Sequence, residues 1–507
     1  MKVIDSFIFY NELDMLNLRL HELNDVVDYF ILVEASKTYA NSPKPYFFEE
    51  NKEKYNKFLH KIIHIKVDDM PERNFTTNTG HWDREHYQRN QIKRGLDQLD
   101  LNDDDIIIMC DVDEIPNIKT INSIKNSIKN NKINGIYKLE MDFYYYNFQN
   151  KMENKWPLAR LFNYGSIKNT QYIDYLTHIR SMKNFNNTIK NGGWHLSYFG
   201  NIDFIVNKIK EFAHQEFNTE KIVNKKDLQT LINNNKDLFY RDEVKMNKVS
   251  HYLPWDETDQ TQLPKYYSMI LFPKLNYLTH LGFKYNTDKS WGHLFTEFYE
   301  KYFKKFRYKK INILEIGIYL GSSLKMLQEY FPNATIHTID INNDYVNKKY
   351  GDRIKTYNCS QVDFGRFDKL FKNTKFDIIL DDGSHQTLHQ LLSLGHMFKY
   401  LNKDGIYVCE DLHTSLVGGH YRNTIISALD ALKAFETTKK INSEVINLEN
   451  TDYLNNNTKN VELFYRSVNS LKCARCGKIN FNNVKICECK EILSPNKQSI
   501  TSIIQHY

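Results

Sequence analysis

Ile106-Ile107-Ile108-Met109-Cys110 runs directly into Asp111-Val112-Asp113-Glu114-Ile115-Pro116, so an apolar strand ends in a group of carboxylates. Ligands of α/β folds bind beyond the carboxyl ends of the strands, which is where these acids stand. Asp111 and Asp113, two positions apart, can converge on one hard cation such as Mn²⁺ or Mg²⁺. An ion there would neutralise the diphosphate of a nucleotide-sugar and stabilise the departing nucleoside diphosphate. Taken alone, Asp-x-Asp is a weak signal, because solvated acidic turns are common; the strand in front of it strengthens the reading.

A second set of acids follows the same rule. Phe376-Asp377-Ile378-Ile379-Leu380 leads into Asp381-Asp382-Gly383-Ser384-His385, and Gly405-Ile406-Tyr407-Val408-Cys409 into Glu410-Asp411-Leu412-His413. Asp382, Glu410 and Asp411 would meet from adjacent strand ends, a carboxylate set that suits octahedral Mg²⁺. A hydroxyl bound to such an ion becomes more acidic, as water does, and His385 is placed to remove its proton as the base. Upstream, Ile311 to Ile316 carries Glu315 and is followed by Gly317 and Gly321 around a turn. Ser322 and Ser323 can cap the next helix. Thr335 to Ile339 then ends in Asp340, an acid that can take a ribose hydroxyl pair. Glu315, Gly317, Gly321, Asp340 and Asp381 form the expected cofactor-binding set. By itself this pattern says only nucleoside cofactor, and an NAD-dependent oxidoreductase would satisfy it.

A third cluster lies near the C-terminus. Cys473 and Cys476, then Cys487 and Cys489, place four thiols in seventeen residues. In a reducing compartment such pairs read as a structural zinc site. Cys110, Cys359 and Cys409 lie singly in apolar runs and read as small buried hydrophobes.

The elements that must carry these residues come in two series. Val3 to Tyr10, Phe30 to Glu34, Ile62 to Val67 and Ile106 to Cys110 read as buried strands of a mostly parallel sheet, with a helix over Glu85 to Leu99. After a connector, the strands at 311–316, 335–339, 376–380 and 406–409 leave room for helices between them. The expected architecture is α/β in two domains: residues 1–254, a connector at 255–280, a second domain at 281–472, the four-Cys element at 473–490 and a poorly ordered tail at 491–507. The 507 residues are too many for one ordinary core. A formal charge of +6 is too diffuse for a nucleic-acid binder, which needs a concentrated basic face. No stretch approaches the roughly 18 apolar residues of a membrane helix, and Met1 to Asp5 reaches an acid where a signal peptide would stay apolar. A soluble cytoplasmic protein is the expectation. Oligomeric state is not legible.

Several separated motifs of the first half occur in one order: Trp82, Glu85, Gln88-Arg89-Asn90, the Asp-Val-Asp-Glu-Ile-Pro run, Trp156 with Arg160, Gly193-Trp194-His195-Leu196-Ser197-Tyr198-Phe199-Gly200, and Phe212 to Glu216. Over residues 3–254 the chain resembles glycosyltransferase family 17, the bisecting β-1,4-N-acetylglucosaminyltransferase family. The resemblance implies a GT-A-like fold, inverting transfer from a donor like UDP-N-acetylglucosamine, and a glycan or glycoconjugate acceptor. By it, Asp111 and Asp113 are metal ligands with His195 as a third, and Arg89 and Arg160 join them in holding the donor. A buried core histidine is the alternative for His195. Lys208 also comes into view as a phosphate contact, with a solvated surface lysine equally open. Inversion needs a general base; Asp142, Glu114 and Glu216 stay open for that role.

The Glu-x-Gly-x-x-x-Gly pattern with the Asp382, Glu410 and Asp411 run resembles the metal-dependent sugar O-methyltransferases of the mycinamicin type, across about residues 281–470. Thr287-Asp288-Lys289 fits that family's opening motif. The resemblance implies a Rossmann-like class I domain, S-adenosylmethionine as cofactor, and Mg²⁺ held by Asp382, Glu410 and Asp411 beside His385. Together the two halves read as a bifunctional enzyme that transfers a sugar and methylates a sugar hydroxyl. The competing class is a glycan-binding or scaffolding protein in which one domain has lost turnover.

Overall fold

The computed structural model describes residues 1–72, 80–129, 135–148, 150–182, 187–241, 244–248, 264–271, 274–416, 421–468 and 497–507. The chain divides into two compact units, Met1–Pro273 and Lys274–Tyr507. The division falls inside the expected connector, because the helix Tyr277–Lys284 already packs within the second unit on the helix Ser322–Tyr330. The four cysteines of the expected zinc element, and residues 255–263 of the connector, lie outside the described residues.

The first unit is built on one sheet of ten strands: β1 (Val3–Phe9), β2 (Tyr29–Ala35), β3 (Ile62–Val67), β4 (Ile106–Asp111), β5 (Glu114–Pro116), β6 (Ile136–Tyr145), β7 (Asn150–Met152), β8 (Arg160–Asn163), β9 (Thr188–Ser197) and β10 (Met246–Lys248). Its main path runs β10-β7-β6-β8-β4-β1-β2-β3, with β5 and β9 joined to it at β6. β1 is parallel to both β2 and β4, with Ile8 opposite Asp111. Every residue of β1, and Ile106 to Cys110 of β4, is buried, as near-continuous apolar runs demand in a parallel sheet covered on both faces. The expected helix at 85–99 begins earlier and divides, as Gly80–Asn90 and Ile92–Leu96. The break is at Gln91, whose amide is shared between the carbonyls of Tyr87 and Gln88 and so tightens the turn.

Seven strands order the second unit: β11 (Asn312–Ile316), β12 (Thr335–Asp340), β13 (Ile354–Asn358), β14 (Phe376–Asp381), β15 (Leu401–Cys409), β16 (Thr458–Val468) and β17 (Lys497–His506). The order β13-β12-β11-β14-β15-β17-β16 reverses direction between β11 and β14, the switch point at which doubly wound sheets bind ligands. Register aligns Ile316 with both Ile339 and Asp381, and Asp381 with Cys409. Glu410 therefore follows β15 at the level of Asp382.

The expectation of a disordered tail is overturned. β17 lies between β15 and β16, antiparallel to both. Ser499, Ile500, Thr501, Ser502, Ile503 and Ile504 are buried. A segment rich in short polar residues is ordered here because its amides pair on both sides, which removes the cost of burying them. Replacing Ile504, which is fully buried, with Ala should lower the stability of the second unit by about 2–5 kcal/mol. Denaturant unfolding would measure this, and a loss below 1 kcal/mol would mean that β17 is not packed as described.

Candidate functional sites

In the first unit the strand tips open into a cavity of about 640 Å³, lined by Asp111, Asp113, Glu12, Glu85, Arg180, His195 and Lys208 on one side. Its other walls include Trp82, Phe143, Trp156, Tyr198, Phe212 and Phe239. His195 is carried there by β9, where it stands opposite Glu114 of β5 and Phe143 of β6. Gly193 makes that pairing fit: its φ is 144°, and a Cβ would lie 2.0 Å from the Ile115 carbonyl oxygen.

The two acids of the Asp-x-Asp pair have different partners. Asp111 Oδ1 accepts from Arg89 Nη1 at 2.7 Å, and its Oδ2 from Arg180 Nη2 at 2.6 Å. Burial alone would push this carboxyl up, but Arg180 and Arg89 hold it well below the usual carboxylate range. Arg180 also makes two bonds to Glu114, at 2.7 and 2.9 Å. Asp113 instead faces Lys208 Nζ at 3.0 Å through Oδ2, and His195 Nε2 lies 3.6 Å from its Oδ1. Lys208 also reaches Glu12 at 3.3 Å. Burial lowers the pKa of His195, and its Nδ1 is buried without a hydrogen-bond partner. The neutral ring, stacked on Phe143 at 4.7 Å, has the form in which imidazole ligates a metal.

The other expected residues are placed elsewhere. The guanidinium of Arg160 donates to the carbonyls of Ile179 and Arg180 at 2.9 and 2.6 Å, and to that of Pro157. It fastens main chain and does not line the cavity, so the expectation that it holds the donor is not met by its geometry. Arg89 is likewise buried and committed to Asp111 and Glu85. Asp142 pairs with Lys151 at 3.1 Å and with Lys155. Glu216 sits at the surface against His214, and Glu114 is fully buried against Arg180 and Trp156. None of the three candidate bases lines the cavity, whereas Glu12, Glu85 and Glu211 do. Arg180 and Glu12 were not singled out in the sequence. Each meets its partner across a long stretch of sequence, 69 residues for Arg180 and Asp111, and no local spacing announces either.

In the second unit the glycine turn closes on the neighbouring strand end. Gly317 has a φ of 93°, and a Cβ there would lie 2.4 Å from the Asp382 carbonyl oxygen. Asp340 receives the amides of Ile318 and Asn342, both at 2.8 Å. Glu315 is buried, with Oε2 lacking a hydrogen-bond partner, and burial pushes its carboxyl up to about 7 against the pull of Lys289. Asp381 is also buried and pushed up to about 6, while Tyr407 and Gln361 donate to it. A glycine cradle with two positive-φ turns and an orphaned buried carboxylate oxygen fits a nucleoside cofactor with a charged tail.

Beside it, Asp382, His385 and Asp411 each offer one ligand atom, and these atoms lie within 4.8 Å of one another. His385 Nε2 is 4.0 Å from Asp382 Oδ1 and 3.6 Å from Asp411 Oδ2. His385 Nδ1 and Asp411 Oδ1 are buried without hydrogen-bond partners. The two carboxylates are the oxygen donors that suit Mg²⁺ or Mn²⁺. Both His385 (φ 58°) and Asp411 (φ 53°) occupy the left-handed region, at about 1–3 kcal/mol each. Thr414 Oγ1, bonded to the carbonyls of His385 and Asp411, ties the two loops. Glu410, the third expected carboxylate, points to the other side. It accepts from Tyr299 at 2.6 Å and Lys289 at 2.8 Å. β17 supports the site from below, since Thr501 donates to the Cys409 carbonyl and Ser499 contacts His293.

Two outcomes follow. Arg180→Met should destabilise the first unit by about 3–5 kcal/mol, because it leaves Glu114 fully buried without its guanidinium and the half-buried Asp111 with one fewer; denaturant unfolding measures it. Glu315 has a folded pKa above its unfolded value, so the stability it contributes is full below about pH 4.5 and is lost as pH rises through about 7. In Glu315→Gln the fall in melting temperature of the ligand-free second unit across that window should flatten, by the equivalent of on the order of 3 kcal/mol.

Part of the chain is 34% identical over 154 residues to L-olivosyl-oleandolide 3-O-methyltransferase of Streptomyces antibioticus, covering 28% of this chain and 39% of that protein. The chain is also 32% identical over 119 residues to the β-1,4-mannosyl-glycoprotein 4-β-N-acetylglucosaminyltransferase of Rattus norvegicus, covering 23% of this chain and 22% of the relative. The chain thus spans well under half the length of either. Among solved structures, the MycE methyltransferase of mycinamycin biosynthesis, in complex with Mg, SAH and mycinamycin VI, aligns with 19% identity and a TM-score of 0.32, over 65% of this chain and 81% of that one. The model of glycosyltransferase family 17 matches residues 1–287, more than half of the sequence, and the chain belongs to that family.

Proposed function

We propose that the protein carries two transferase sites: the first unit moves a sugar from a nucleotide-sugar to a glycan or glycoconjugate, and the second methylates a sugar hydroxyl with S-adenosylmethionine. The observation that carries this reading is the repeated one, a cation-ready acid and histidine pair at the strand tips of each unit. Similarity of the chain both to a sugar transferase family and to a sugar O-methyltransferase supports it.

In the first site, Asp113 and His195 would hold Mn²⁺ or Mg²⁺, with Asp111 fixed behind them by its two arginines. A bound cation there supplies charge to the leaving diphosphate. Lys208 adds a second positive charge on the same wall. The base that takes the acceptor proton is best sought among the carboxylates that line the cavity, Glu12, Glu85 and Glu211. The donor in this reading is like UDP-N-acetylglucosamine, which the family match and the similarity to an N-acetylglucosaminyltransferase support.

In the second site, the Gly317 turn and Glu315 would receive the methionine part of the cofactor, and Asp340 its ribose. S-Adenosylmethionine supplies the methyl group. Asp382 and Asp411 would hold Mg²⁺ with Glu410 behind them, and His385 would take the proton of the acceptor hydroxyl at Nε2. His385 as a third ligand is the alternative that the geometry favours equally.

Incubation of the full chain with UDP-N-acetylglucosamine and Mn²⁺ should release UDP, and Asp113→Asn should slow this at least 100-fold. Labelled S-adenosylmethionine should methylate sugar acceptors, and Asp382→Asn should abolish that without altering UDP release. His385→Gln separates base from ligand: a base is lost with metal affinity kept, a ligand with affinity reduced tenfold or more. Absence of turnover in both assays, with no binding of either donor, would sink the enzyme reading.

A further inference from the structure

Lys289 occupies an unusual position for a lysine. It lies in the short helix Asp288–Trp291, is 2% exposed, and puts its ammonium between Asp382 Oδ2 and Glu410 Oε2. Glu410 is closed on its other oxygen by the Tyr299 hydroxyl. The remaining oxygen of Asp382 faces His385, and beyond it Asp411. Asp382 therefore stands between two cation positions: one filled by the chain's own ammonium, the other formed by the converging atoms of Asp382, His385 and Asp411.

We propose that Lys289 is an internal counter-cation that sets how tightly the second unit binds a divalent ion. Three carboxylates at adjacent strand tips, Glu410 buried and Asp382 and Asp411 half-buried, repel one another and need a compensating charge. The ammonium holds two of them in place while the ion is absent. Once an ion is bound, the same positive charge works against it across one shared carboxylate, so that affinity is held down in exchange for a site that is already assembled. Lys289 acts through Asp382 and Glu410 and touches no substrate; it is a positioning residue. The inference rests on the reading of Asp382, His385 and Asp411 as a cation site.

The test uses the full chain carrying Asp113→Asn, to silence the first unit's site, and Mn²⁺ followed by the loss of its free-ion paramagnetic resonance signal. Lys289→Met in that background should bind Mn²⁺ at least tenfold more tightly than its parent. Its ion-free melting temperature should fall, and the rise in melting temperature on adding Mn²⁺ should grow. Lys289→Arg, which keeps the charge, should stay within threefold of the parent. Lys289→Gln serves as a second neutral replacement if the methionine variant does not fold. Equal or weaker Mn²⁺ binding by a folded neutral variant would overturn the proposal, since a lysine with only a structural role predicts loss of both stability and affinity. A parent that binds no Mn²⁺ removable by Asp382→Asn would instead overturn the cation site itself, and the role of Lys289 with it.

Discussion

Carboxylates crowded at the tips of parallel strands repel one another, and both units of this protein answer that repulsion from within. In the first, Arg89 and Arg180 clamp Asp111, Arg180 also holds Glu114, and Lys208 joins Asp113 to Glu12. In the second, Lys289 joins Asp382 to Glu410. Arg89, Arg180, Glu114, Lys289 and Glu410 are nearly or wholly excluded from water, while Asp111, Asp382 and Lys208 are half-buried; removing a buried partner leaves the other charge poorly compensated. The geometry of both sites therefore depends on cations that come from helices remote in sequence from the strands that supply the acids.

The two solutions differ in kind. Guanidinium groups are planar forks that can bond two carboxylates at fixed angles, and Arg180 uses its fork on Asp111 and Glu114 together. That arrangement suits an acid meant to stay still. An ammonium is a compact point charge on a flexible stem, which suits an acid that must share itself between a permanent and a transient cation. Asp113 and Asp382 each face both a lysine and a histidine.

The acids and the cofactor turn were legible in the sequence because each is a local pattern: Ile106 to Cys110 stops at Asp111, Phe376 to Leu380 at Asp381, and Gly317 follows Glu315 by two. Their counter-ions were not. Arg180 is 69 residues from Asp111 and Lys289 is 121 from Glu410, and neither lies in a spacing that implies a partner. Arg160 shows the converse: the motif that contains it marks its importance, but its donors go to main-chain carbonyls and none to the cavity. The strand at 497–506 was hidden for a different reason. Lys-Gln-Ser-Ile-Thr-Ser-Ile-Ile-Gln-His has little apolar periodicity, and what buries Thr501 and Ser502 is the presence of a strand on each side.

That placement has a bearing on how the protein is made. A ribosome delivers β11 to β15 well before residues 497–506, so the nascent sheet waits with an unpaired edge along β15, and Ile406 to Cys409 on that edge are all buried in the finished unit. An exposed apolar edge is a template for pairing with another chain. The second unit is thus most open to aggregation late in its own synthesis, while the strands of the first unit have all emerged before it begins.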